Sequence, residues 1–140
     1  MFDGLGSPAR ELDVLVRDGL VEALLAPATA VDEAESIDAS GCWVTPGFID
    51  LHTHYDAEVE LWPALGESVR HGVTTIFLGS CGLSLAIGRP VDLADMFCRV
   101  EGIPRAVVKP LLEQRKDWDG PASYLDHLDA MPLGPNVAAL

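Results

Sequence analysis

Positive charge is what this sequence has least of. Nine Lys and Arg stand against 22 Asp and Glu, a formal net charge of −13. That imbalance argues against nucleic acid and anionic membrane surfaces as partners, because both repel an acidic protein. No basic-then-apolar leader opens the chain, and no run approaches the ~18 apolar residues of a membrane span. Cysteine is scarce as well. Cys42, Cys81 and Cys98 are an odd number, three, with no close pair. A disulfide framework is not expected, and a reducing, cytoplasmic compartment fits. Internal repeats and low-complexity segments are missing too. What is present is a chain of 140 residues, 49% apolar, enough to bury a modest core rather than stay disordered.

The most informative stretch runs from Val44 to Asp56. Pro46-Gly47 punctuates the backbone, and Phe48-Ile49-Asp50-Leu51 follows as a short apolar run, which predicts a turn feeding a buried strand. Strand side chains two apart share a face, so His52 and His54 are expected on one side and Thr53 on the other. Paired neutral imidazoles suit zinc and related ions. A bare His-x-His also occurs on surfaces and loops that hold no metal, so both readings stand at this point.

Taken in order, Met1 to Arg10 reads as a loop. Leu12 to Arg17, Asp18-Gly19 and Leu20 to Leu25 read as strand, turn and strand. Ser36 to Gly41 reads as a short strand ending in a turn, and Cys42 as a packed strand residue. Asp56, Glu58 and Glu60 alternate, a spacing that suits paired carboxylates or a solvated acidic loop; for Glu58 and Glu60 the loop is the expectation. Ala64 to His71 predicts a short helix, with His71 in its last turn and Gly72 as the stop. Val73 to Leu78 is β-branched and apolar, the pattern of a parallel strand buried on both faces, and it runs into Gly79-Ser80-Cys81-Gly82. By residue type alone Cys81 is a packed thiol. Val91 to Val100 predicts a helix with Leu93, Met96, Phe97 and Val100 on its apolar face and Cys98 off it. Ile103 to Lys116 suggests helical pieces around turns. Pro121 to Met131 predicts a helix that buries Tyr124, Leu125 and Leu128 and leaves His127 solvated. Asn136 to Leu140 looks like the start of a further strand.

Pro-Gly-Phe-Ile-Asp-Leu-His-Thr-His-Tyr-Asp, from Pro46 to Asp56, resembles the signature of the amidohydrolase superfamily. The Tyr-Asp after the second histidine, with Gly-Ser-Cys-Gly at 79–82, is similar to the N-acyl-D-amino-acid deacylase (D-aminoacylase) branch. The resemblance implies an α/β fold: the first part of a metal-dependent hydrolase TIM (β/α)8 barrel, preceded by part of a small β-sandwich. Residues 1–45 would form the partial sandwich, and residues 46–140 the first two to three β/α units. It also implies that His52 and His54 bind a catalytic metal at the end of the first barrel strand. Cys81 is then a third metal ligand, standing where other branches carry a bridging carboxylated lysine. The expected cofactor is zinc, one or two ions. A barrel of eight units needs ~250 residues, so the chain is expected to be an N-terminal piece of an enzyme. A strand that members carry ahead of a segment like Asp3-Gly4-Leu5-Gly6 is also not present.

The activity this implies is hydrolysis of N-acyl-D-amino acids, small molecules, to a carboxylate and a free D-amino acid. The family's general base is an aspartate near the eighth strand, and two more histidine ligands come from later strands. No catalytic base is therefore expected within this chain, which should be inactive alone. Two alternatives stand beside this reading. A cyclic amidase of the hydantoinase or dihydroorotase kind carries a similar His-x-His strand but uses a lysine where Cys81 stands. A truncated, non-catalytic domain that binds metal or a partner is the other, with self-association through open sheet edges.

Overall fold

The computed structural model describes residues 1–140. The chain forms two compact units, Met1–Pro46 and Gly47–Leu140. In the first, β1 (Asp13–Arg17) pairs antiparallel with β2 (Leu20–Leu25). Asp18 (φ 51°) and Gly19 (φ 77°) both take left-handed backbone between them. That pair of conformations gives the tight turn whose twist matches a hairpin, and Asp-Gly tolerates it at low cost. Phe2 N–H donates to the Val44 carbonyl at 2.8 Å, and the Phe2 and Trp43 rings meet edge-on at 5.5 Å.

Two expectations fail in this unit. Ser36 to Gly41 forms no strand. The Asp38 carboxylate accepts from Ser40 N–H at 2.9 Å, a local turn that takes the backbone donor a ladder would need. Cys42 is exposed rather than packed, because it sits in that turn with its N–H bonded to the Ala39 carbonyl at 3.0 Å.

The second unit is built on a parallel three-stranded sheet, ordered β3 (Phe48–Asp50), β4 (Val73–Leu78), β5 (Asn136–Ala139). Parallel neighbours need long crossovers, and helices supply them. α1 (Asp56–Leu61) and α2 (Gly66–Arg70) link β3 to β4. α3 (Pro90–Val100), α4 (Arg105–Arg115) and α5 (Pro121–Asp129) link β4 to β5. β4 is the central strand, and its Ile76 and Leu78 are fully buried. Its alternate positions, Val73, Thr75 and Phe77, are only half-buried, so one face rather than both is sealed. β3 differs from expectation more sharply. Phe48 and Ile49 are 61% and 60% exposed, because this strand pairs on one side only.

α3 packs through the spacing read from the sequence, while residues 105–115, read as helical pieces around turns, form the single helix α4. Leu93 and Phe97 of α3 are buried in one cluster with Val108 and Leu112 of α4, though Val100 at the helix end is exposed. Burying a side chain such as Phe97 contributes roughly 1.5–3 kcal/mol. His71 caps α2, as its place in the last turn predicts. No helix is long and apolar enough to cross a membrane.

α1 and α5 carry the other corrections. Asp56 to Leu61 is helix, not loop, and it buries Asp56 and Glu60 completely while Glu58 stays exposed. In α5, Tyr124 and Leu128 are buried but Leu125 is exposed. His127 is not solvated: its ring lies 4.3 Å from that of Trp118, and its Nε2 meets Glu60 Oε1 at 3.0 Å. A sequence periodicity cannot show that a charged residue on one helix has its partner on another.

Candidate metal centre

β3 and β4 run parallel, so their C-terminal ends lie side by side. Just beyond β3, the segment 51–55 carries His52 and His54; just beyond β4, a single 3-10 turn, Ser80–Gly82, carries Cys81. Both histidines thus sit past the end of the strand rather than in it. One donor atom from each of His52, His54 and Cys81 lies within 4.8 Å of the other two. His52 Nε2 stands 3.1 Å from Cys81 Sγ, and the two imidazole centroids are 5.4 Å apart. The structure therefore brings together all three residues singled out in the sequence.

The two segments are stapled to one another. Thr53, pointing inward between the histidines, donates its hydroxyl to the Phe77 carbonyl at 2.6 Å. Asp56 Oδ2 accepts from Gly79 N–H at 3.1 Å. His52 N–H is held by Asp50 Oδ1 at 3.1 Å. Burial pushes the Asp56 carboxyl up to about 6, against the backbone N–H groups of Gly79 and Leu85, which favour its ionised form. Gly79 has φ +82°, and a Cβ on it would fall 2.6 Å from the Leu140 carbonyl oxygen, so only glycine fits. Cys81 itself takes φ 57°, an uncommon backbone state for a side-chain-bearing residue, and one that turns its sulfur toward His52.

His54 is the most constrained of the three. Its Nδ1 lies 2.8 Å from Glu101 Oε1, and its Nε2 is buried without a hydrogen-bond partner. A proton kept on Nδ1 and hydrogen-bonded to the carboxylate leaves the Nε2 lone pair free. Two neutral imidazoles and one thiolate suit zinc, and a buried ring nitrogen with no other partner suits a ligand. The donor set fits a metal.

α1 carries a buried polar group that sequence reading missed. Glu60 has no exposure, pairs with His127, and its backbone carbonyl accepts from Arg115 Nη1 at 2.6 Å. Burial raises the Glu60 carboxyl, while His127 and Arg115 oppose the shift. Burial also raises the Tyr124 phenol. Thr53 lies within the quoted motif, but Glu101 carries no local signal at all: it is one acidic residue at a helix end.

Mixed α/β architecture with His and Cys donors at adjacent parallel-strand ends defines a class of metal-site folds. Comparison with known proteins narrows it. No family model matches the chain. An uncharacterized protein of Mycobacterium tuberculosis is 51% identical over 99% of this chain and 23% of its own length. The N-acyl-D-glutamate deacylase of Alcaligenes xylosoxydans xylosoxydans is 33% identical over 100% of this chain and 26% of its own. Among solved structures, the N-acyl-D-glutamate deacylase of Bordetella bronchiseptica, complexed with zinc and a phosphonate mimic of the tetrahedral intermediate, superposes with a TM-score of 0.71. It is 33% identical and covers 99% of this chain and 27% of that one. A D-aminoacylase studied for its binuclear metal centre gives a TM-score of 0.68 at 31% identity, over 99% of this chain and 27% of that one. This chain belongs to the N-acyl-D-amino-acid deacylases of the amidohydrolase superfamily. It spans about a quarter of the length of the relatives it matches.

Proposed function

We propose that His52, His54 and Cys81 hold zinc, one or two ions, as part of the active site of a hydrolase that cleaves N-acyl-D-amino acids to a carboxylate and a free D-amino acid. The observation that carries this reading is the convergence of the three donors at the ends of β3 and β4. The relatives, zinc-bound and binuclear among them, support it. On the same reading the sheet β3-β4-β5 belongs to the first two to three units of a (β/α)8 barrel, residues 46–140, and residues 1–45 to a partial β-sandwich. The free state of all three cysteines agrees with a cytoplasmic setting.

When bound, the metal supplies a Lewis acid for the amide carbonyl and a water of lowered pKa. The chain's own part is to build and hold the ligands. His52 and His54 would offer imidazole nitrogen to the metal, and Cys81 a sulfur that coordination would keep deprotonated. Thr53 and Asp56 lock the histidine segment onto β4, so the donors keep their spacing. No general base is assigned within the 140 residues, and the chain by itself is expected to show no turnover.

Elemental analysis of the purified chain beside Cys81→Ala tests the centre. Zinc in the parent and none in the variant is the expected result; a parent free of zinc would overturn the assignment. Hydrolysis of N-acetyl-D-glutamate by the 140-residue chain would instead overturn the expectation that it is inactive.

A further inference from the structure

We infer that Glu101 is a positioning residue of this centre: its carboxylate accepts the hydrogen bond from His54 Nδ1–H and so aims the Nε2 lone pair at the metal. The inference rests on the reading of His52, His54 and Cys81 as ligands. Its own observation is separate. Glu101 Oε1 lies 2.8 Å from His54 Nδ1, with the two side chains 25% and 34% exposed, and the other nitrogen of the same ring is buried with no partner. An imidazole has two tautomers, and the one that keeps its proton on Nδ1 presents a free electron pair at Nε2. A carboxylate on Nδ1 selects that tautomer and fixes the ring plane.

The local helix does not call for an acid at this point of the chain. Glu101 caps the C-terminal end of α3, where the helix dipole favours a cation, so the helix gains nothing from it. A partly exposed His–Glu pair stabilises a fold only slightly. Its position is nonetheless firm. Glu101 N–H donates to the Phe97 carbonyl at 3.0 Å, and Phe97 is completely buried in the core. α3 is further tied to α4 by the pair Asp95–Arg105. The carboxylate is therefore carried to His54 by a packed helix end rather than by a loose loop.

The test is a zinc titration of the 140-residue chain in competition with a chromophoric chelator, with Glu101→Ala, Glu101→Gln and Cys81→Ala alongside. Outer carboxylates on metal-bound histidines typically contribute 10–100-fold in affinity. Glu101→Ala is expected to weaken zinc binding by a factor in that range, and Glu101→Gln, which keeps an acceptor oxygen but no charge, by less. A second readout needs no metal: long-range proton–nitrogen NMR of the metal-free chain at pH 8 reports the His54 tautomer. The parent should show one tautomer, protonated at Nδ1, and the alanine variant a mixture, with circular dichroism and the urea midpoint unchanged. Equal zinc affinity in parent and Glu101→Ala, with Cys81→Ala still abolishing binding, would overturn the role of Glu101 and leave the centre standing. A parent that takes up no zinc would overturn the centre and this inference together.

Discussion

The second unit contains two His–Glu pairs built from the same residue types and put to different uses. His54–Glu101 lies at the ends of the strands, about one-third and one-quarter exposed, with one ring nitrogen engaged and the other free beside His52 and Cys81. His127–Glu60 joins α5 to α1, 17% and 0% exposed, with Nε2 on Glu60 and Nδ1 3.5 Å from Asp117. Trp118 and Tyr124 stack around the second ring, and Trp118 in turn donates Nε1–H to the Leu85 carbonyl at 2.7 Å. A histidine with one nitrogen on a buried carboxylate and the other facing a second acid is placed to hold structure. One with a nitrogen left over, next to a thiol, can hold a ligand.

That contrast can be broken in graded steps. The largest effect belongs to the buried pair. Glu60→Ala leaves His127 Nε2 without its carboxylate, while Arg115 keeps the backbone carbonyl of residue 60, and removal of one partner of a buried pair costs about 3–5 kcal/mol. Urea denaturation of the 140-residue chain should show a loss of that size. A loss under ~1 kcal/mol would mean that the pair is solvated.

Replacing Trp118 by Phe comes next. The Leu85 carbonyl loses its donor, and an unsatisfied buried polar group costs about 1–3 kcal/mol. The same denaturation experiment measures it, and zinc affinity should be unaltered, because neither residue touches the cluster.

The pH response separates the pairs in another way. Glu60 has a folded pKa raised above its ordinary 4.5, chiefly by burial. The folded state then binds more protons than the unfolded state in the window above 4.5. This contribution to stability is complete at low pH and declines as pH rises through the folded value. Glu60→Gln should remove that part of the slope. A slope identical to the parent's between pH 4.5 and neutrality would show that another group carries it.

The smallest stability effect is expected for Glu101→Ala, below ~1 kcal/mol, since the pair is partly exposed. If Glu101→Ala destabilised the fold as strongly as Glu60→Ala, the distinction between a ligand-orienting pair and a structural one would collapse.

Much of the candidate site was legible because its signals are local. Pro46-Gly47, the apolar run after it and His-x-His lie within a few residues, and Cys81 sits between glycines at the end of a β-branched strand. Those features require only backbone punctuation and donor chemistry. The partners of Glu60 and Glu101 were not legible, because each depends on where a distant helix docks. Alternating acids after His54 looked like solvated loop, yet helical spacing rotates Glu60 inward and Glu58 outward. Phe48 and Ile49 looked buried by composition, but exposure depends on how many neighbours a strand has, and β3 has one.

By itself, then, the sequence determined the acidic character, the hairpin turn at Asp18-Gly19, the strand of β4, most of the α3 stripe and the three candidate donors. These are consequences of side-chain chemistry and of backbone preferences acting over a few residues. Only the tertiary structure decided that the donors converge, that Glu101 reaches His54, and that His127 is enclosed. Those contacts join residues far apart in the chain, and they exist because parallel pairing aligns the ends of β3 and β4 while the packed helices carry their charged ends to fixed places.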